Sequence, residues 1–212
     1  MGAAGPLKTN VKTLYGIASN MKELRIREYD HPDERGWLQC RVLAFLETAF
    51  FDDVRTEKET YQSDSIELVA ECDGMIVGLI DIEIEKADAN HSGIIWHVAV
   101  HPNYQRSGIA TNLLKEASAR ANAFQLTRLE AWTRDDDFVN DWYRSQGFKL
   151  IDSYYHIYAN HNEVKDRSMF SWPSKDAYTM SAFIHYLGSD QKFISEFKRV
   201  HECRRYDLAL DN

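Results

Sequence analysis

The sequence predicts an α+β fold in which a mixed, mostly antiparallel central sheet is flanked by helices. Residues 66–85, IELVAECDGMIVGLIDIEIE, set two β-rich runs around Asp73-Gly74. Asp-Gly is a strong hairpin signal, because a type I′ turn needs positive φ at both central residues. Residues 109–124 instead place Ile109, Leu113, Leu114, Ala117 and Ala121 on one stripe at helical spacing, the pattern of a helix laid on a sheet. The elements follow the order β-α-βββ-α-β-α-β with one strand appended, which joins an antiparallel half to a parallel crossover.

Taken in order, residues 1–20 are weakly patterned and are expected to form a flexible extension, with a single domain over 21–212. ELRIREYD, 23–30, alternates Leu24 and Ile26 with charged residues and reads as the first strand. Residues 33–51 repeat Trp37, Val42, Leu43, Phe45, Leu46 and Phe50 near a helical period, with Asp33 as the cap. Residues 52–65 are polar and read as a mobile connection. In the hairpin's second strand Ile80, Ile82 and Ile84 alternate with Asp81, Glu83 and Glu85, which predicts one apolar and one wet face. A turn over 87–93 leads to a third antiparallel strand, 94–102, and residues 126–133 form a further strand. The short helix 135–146 opens on carboxylates at its positive end and stops at Gly147, and 148–159 returns as strand. The remainder reads as an elaboration: a helix through AYTMSAFIHYL, a break at Gly188-Ser189-Asp190, a second helix through KFISEFKRV and a last strand CRRYDLAL. Residues 161–202 are thus expected to be a helical insertion before the last strand.

The chain has 212 residues, 44% hydrophobic and 12% aromatic, enough for one sizeable core. Its net charge of −8 provides no basic field for a phosphate backbone or an anionic membrane surface, so neither nucleic acid nor membrane is an expected partner. Three cysteines, Cys40, Cys72 and Cys203, with no CxxC pair point to a reducing compartment and a cytoplasmic location. No apolar stretch approaches the roughly 20 residues of a membrane span. No metal site is expected: His97 and His101 lie on a strand and its exit rather than on one helical face, and Asp135, Asp136 and Asp137 suit a helix N-terminus.

Residues 96–114, WHVAVHPNYQRSGIATNLL, run from strand through loop to helix. The first N–H groups of such a helix have no intrahelical acceptor and its dipole favours an anion, with phosphate as the natural guest. Gly108 admits a ligand close to the backbone, Ala110 keeps the next turn small, and Gln105, Arg106 and Ser107 add donors. One glycine does not make a dinucleotide fingerprint, and Gly-Lys-Ser/Thr is absent. From spacing alone, an ordinary turn eased by Gly108 accounts for the same residues equally well.

VAVHPNYQRSGIATNLL resembles the acyl-CoA binding motif of the GCN5-related N-acetyltransferase (GNAT) superfamily, whose pattern Gln/Arg-x-x-Gly-x-Gly/Ala is met by Gln105, Gly108 and Ala110. NDWYRSQGF resembles the second signature of that superfamily through Tyr143, Gly147 and Phe148. The likeness spans residues 22–160, with 203–210 completing the fold. It implies the GNAT fold, acetyl-CoA (coenzyme A) as co-substrate and a primary amine acceptor, either a small molecule or a peptide, attacking directly in a ternary complex. It also implies that the fourth strand parts from the strand after the CoA helix. Backbone groups of Val98, Ala99 and Val100 would then bind pantetheine, and the amides of Gln105, Arg106, Ser107, Gly108, Ile109 and Ala110 the pyrophosphate. Asn140 or Asp136 would bond the pantetheine arm, and Tyr143 would be the general acid. A free alkylamine with pKa ~10 arrives protonated, so a base is needed. Candidates are Glu130, where the ribosomal-protein N-terminal acetyltransferases carry a glutamate, His97, and Asp81 or Glu83; histone-type enzymes carry theirs where this chain has Ile94. The competing class is a CoA- or ligand-binding module of the same fold without turnover, and a homodimer is compatible with either.

Overall fold

A computed structural model describes residues 24–85, 91–163, 176 and 179–210. The elements are β1 (Arg25–Glu28), α1 (Glu34–Phe45), β2 (Ser65–Cys72), β3 (Met75–Ile84), β4 (Ser92–Val100), α2 (Ile109–Ala123), β5 (Arg128–Thr133), α3 (Asp137–Ser145), β6 (Lys149–Asn160), β7 (Ser181–Tyr186), α4 (Gln191–Ile194) and β8 (Val200–Ala209). The strands form one sheet in the order β1-β2-β3-β4-β5-β8-β6-β7. The β4–β5 pair is parallel and the other neighbours are antiparallel. The 1–20 extension expected from sequence lies outside the described residues.

Local chemistry accounts for the β2–β3 hairpin. Asp73 and Gly74 both adopt positive φ, 51° and 76°, and bring Cys72 opposite Met75, as a type I′ turn requires. The two faces of the sheet are covered by different helices. The α2 stripe of Ile109, Leu113, Leu114, Ala117 and Ala121 packs with Ala70, Ile80 and Ile82 in the main core. On the other face Trp37 and Cys40 of α1 pack with Val69, Ile76, Leu79 and Ala99. The approach of α2 is close: a Cβ at Gly78 would stand 2.7 Å from Ile109 Cγ2, so only glycine fits under that first turn.

Three expectations are corrected. The wet face of β3 is not wet at its centre, because Asp81 is fully buried; α1 and the segment after it cover that side, which period-2 alternation cannot foretell. That segment, 52–64, is no loose connection. Arg41 Nη2 donates to Asp53 Oδ2 at 2.6 Å, and Lys58 Nζ donates to Glu67 Oε2 at 2.5 Å and lies 3.2 Å from Asp81 Oδ2. Among its described residues the insertion is not mainly helical either. Ser181–Tyr186 is strand β7, paired with β6 from Asn160↔Ser181 to Tyr155↔Tyr186. Ala182, Ile184 and Tyr186 are half-buried while Ser181, Phe183 and His185 are exposed, an alternation hidden inside an apolar run. The open edge of β6 supplies the backbone partners that a strand must find outside itself. The second predicted helix shrinks to the single turn α4, capped by Asp190, which accepts from Lys192 N and Phe193 N, and β8 starts at Val200. Tyr178, at the start of the first predicted helix, lies outside the described residues.

Candidate active site

The site begins where β4 and β5 separate. Their parallel pairing runs from Ser92↔Arg128 to Ile95↔Ala131 and stops. Trp96 is the cause on the β4 side: β3 pairs Ile82 with Ile95 and Asp81 with His97, so Trp96 is an extra, bulged residue. A bulge bends the strand that carries it and increases its twist. Its exposed ring is tied down by Trp96 Nε1 donating to Glu83 Oε2 at 3.0 Å. From His97 to Val100, β4 remains paired with β3 while its other edge has no β5 partner. A cavity of about 370 Å³ occupies the parting, with Ile94–Val98 along one wall and Tyr143 on another.

Beyond the end of β4 lies the entrance to α2. Gly108, at φ 83°, is its N-cap residue and no side chain caps the helix. Arg106 also takes positive φ, 62°, so the chain turns its amides together before the helix starts. The side chains of this loop are turned back on the loop itself: Gln105 Nε2 donates to Val100 O at 3.1 Å and Ser107 Oγ to Tyr104 O. What faces outward is main chain at the positive end of a helix. A Cβ built on Gly108 meets nothing within 4 Å, so the space before it is open.

Tyr143 is 4% exposed on α3. Its ring stacks on Tyr206 at 5.5 Å and meets Phe148 edge-on at 5.1 Å. Burial pushes the phenol well above its ordinary value, so at neutral pH it holds its proton.

His97 is buried beneath Trp37, whose ring meets it edge-on at 5.1 Å. Arg41 Nε lies 3.4 Å from His97 Nδ1, and His97 Nε2 meets the Glu59 carboxylate. Because a guanidinium only donates, Nδ1 accepts and Nε2–H donates to Glu59. The His97 bond holds the Glu59 carboxyl below the usual carboxylate range against the opposing effect of burial. Arg41, itself 1% exposed, is further fixed by donating from Nη1 to Asp53 O at 2.7 Å.

His156, which also lines the cavity, is held by a second arginine. Arg134 Nε donates to His156 Nδ1 at 3.3 Å, and His156 Nε2 meets Tyr154 Oη at 3.0 Å. Burial, helped by the nearby Arg134 charge, pushes His156 down to about 4. A folded pKa below the unfolded 6.5 means that the unfolded chain binds more protons between those values, so stability is complete above about 6.5 and falls as pH drops toward 4. The loss from this group should reach roughly 2–3 kcal/mol. Urea midpoints at pH 7 and pH 5 measure it; a His156→Gln variant should show a flatter pH slope, and an equal slope would count against the neutral imidazole.

Of the residues singled out by sequence, the structure brings His97 and Tyr143 to one cavity and leaves Glu130 and Asn140 out of its lining. Glu130 Oε2 is 2.8 Å from Arg205 Nη2, and its other oxygen accepts from Trp132 Nε1 at 2.8 Å. Asn140 is fully buried, donating to Arg134 O and Asp136 O while accepting from Tyr206 Oη. Asp136 does line the cavity, accepts from Ala49 N at 3.0 Å, and is pushed up by burial. Asp81 is occupied by Lys58 and by Tyr61 Oη at 3.2 Å. Sequence reasoning missed Glu59, Arg41, Arg134 and His156. An arginine amid the apolar positions of α1 was the one available signal.

Residues 63–150 match the family model for the acetyltransferase (GNAT) domain. The fold is shared with the ribosomal-protein-S18-alanine N-acetyltransferase from Escherichia coli, at 12% identity and TM-score 0.55 over 90% of this chain and 96% of that one. It is shared too with an acetyltransferase of the GNAT family from Streptococcus pneumoniae, at 18% identity and TM-score 0.57 over 89% of this chain and all of the other (100%). The PaiA N-acetyltransferase from Thermoplasma acidophilum, in complex with coenzyme A, matches at 16% identity and TM-score 0.51 over 62% of this chain and 92% of that one. The parted strands and the glycine-led α2 around them build the GNAT fold.

Proposed function

We propose that this chain is an acetyl-CoA-dependent N-acetyltransferase that passes the acetyl group to a primary amine by direct attack in a ternary complex. The observation that supports it best is the parting of β4 from β5 after Ile95 and Ala131, in line with the uncapped amides of α2. The amides from Arg106 through Ser107, Gly108 and Ile109 to Ala110 would hold the diphosphate, while that of Gln105 is taken by Pro102 O at 3.3 Å. The unpaired edge of Val98, Ala99 and Val100 would take the pantetheine arm as an added strand. The neighbour crystallised with coenzyme A supports the choice of co-substrate.

In this reading the amine nitrogen bonds to the thioester carbon and the carbon–sulfur bond breaks. Tyr143, kept protonated by burial, donates to the departing sulfur. His97 Nδ1 receives the proton of the amine, because the 3.4 Å bond from Arg41 is long enough to yield, and Glu59 balances the imidazolium from the other side. Glu130, neutralised by Arg205, has no part in the step.

Gly108→Val tests the seat. The isopropyl group projects into the space before the amides, and φ 83° strains a β-branched residue. Calorimetry should show acetyl-CoA affinity at least about tenfold weaker, the size of losing one or two well-placed hydrogen bonds, in a protein that still unfolds cooperatively. Unchanged affinity would overturn the assignment. Thiol release with amines, measured on the same protein, separates a transferase from a binding module.

A further inference from the structure

We infer that the acceptor of this site is a small arylalkylamine: one primary amine on one flat apolar ring. The inference rests on the acetyltransferase reading above. The cavity is walled in part by rings from several elements. Phe45 and Phe50 come from α1 and the turn after it, and Trp132 and Tyr154 from β5 and β6. These rings are fixed rather than adaptable. Trp132 and Tyr154 pack at 5.2 Å, and the Arg134 guanidinium lies 4.2 Å from the centre of Phe50.

Charge on these walls is mostly spent. Arg41 and Arg55 both pair with Asp53, and the imidazoles of His97 and His156 each face an arginine through Nδ1. Asp136 lines the cavity with no cation within ion-pair distance among the described residues. A polyamine needs carboxylates at several points along its length, and this cavity offers a single uncompensated one. A peptide needs polar partners for each backbone unit, whereas Phe45, Phe50, Trp132 and Tyr154 offer ring faces and most polar side chains of the lining are already paired. Size agrees. The volume of about 370 Å³ must take the thioester end as well, and an apolar cavity of roughly 150 Å³ suffices for a benzene ring. One ring and one cationic head fit what remains.

The test uses the full chain with acetyl-CoA, thiol release as readout, and three acceptors: 2-phenylethylamine, spermidine and a short peptide with N-terminal alanine. The expected kcat/KM for 2-phenylethylamine exceeds the other two by about thirtyfold or more, the scale of burying one ring. Trp132→Leu should raise its KM about tenfold while acetyl-CoA affinity changes less than about twofold. Should that variant fold poorly, Phe45→Leu carries the same expectation. Preference for spermidine or the peptide overturns the inference. If acetyl-CoA binds and no amine releases thiol, the transferase reading fails by itself. Calorimetry of 2-phenylethylamine on the CoA-loaded protein then decides the subsite: binding that Trp132→Leu weakens upholds it, and no binding overturns it.

Discussion

Replacing Tyr143 with phenylalanine should lower kcat by about 10²-fold or more, the usual contribution of a positioned general acid, while acetyl-CoA affinity stays within about twofold. The substitution removes one oxygen and leaves the ring, so the stack on Tyr206 and the edge contact with Phe148 persist and the fold should be undisturbed. The effect should fall on kcat and on kcat/KM alike, because the hydroxyl acts on the sulfur only as the carbon–sulfur bond breaks. A thiolate leaving unassisted has a pKa of roughly 8.5, poor but feasible, so some turnover should survive. Stopped-flow thiol detection on both proteins measures it. Wild-type turnover in Tyr143→Phe would remove the acid role, and collapse of acetyl-CoA binding would reassign the tyrosine to architecture.

The second large effect is expected from Glu59→Gln. The amide still accepts the bond from His97 Nε2 but carries no charge, so the imidazolium formed during transfer loses its counter-charge. We expect kcat/KM to fall by about 10- to 100-fold, since second-partner carboxylates typically matter on that scale. Direction is as informative as size. The wild-type carboxyl sits below its ordinary value because of the His97 bond, so Glu59 keeps its negative charge through the neutral range. Without it, protonation of the pair requires more acid, and the acid limb of the rate profile should move to lower pH. A merely structural Glu59 would shift Tm and leave that limb in place. The same sign applies to stability: a carboxyl depressed in the folded state stabilises above its unfolded value and loses that contribution as pH falls through its folded one. Wild type and Glu59→Gln should therefore differ in stability near neutrality and converge in acid.

Much of the fold is legible because its determinants are local. Asp73-Gly74 encodes its own positive φ angles, and the α2 stripe carries its period on its face, so both elements end within a residue or two of expectation. The place of Gly108 at the start of α2 was equally legible, since a glycine between loop and helix is a backbone statement. The rest depended on partners distant in sequence. Residues 181–186 become strand because the edge of β6 is there to receive them. Asp81 is buried because α1 and the following segment cross over it, and nothing in the alternation of β3 announces that cover. In the site, His97 and Tyr143 could be picked from their neighbours in the chain. Glu59 could not: it lies 38 residues from His97 within a polar stretch and meets the imidazole only through tertiary folding.

The place of β8 shapes how this sheet can be assembled. Its residues, 200–209, form rungs with Arg128–Thr133 on one side and with Lys149–Ile157 on the other, although every neighbour precedes it in the chain. Until it docks, the sheet exists as two halves with facing raw edges, and a ribosome will have delivered both long before the keystone. Closure joins Arg128 to Ala209, a span that makes folding slow by topology, and the waiting halves are the state in which this protein is most exposed to mispairing with another copy.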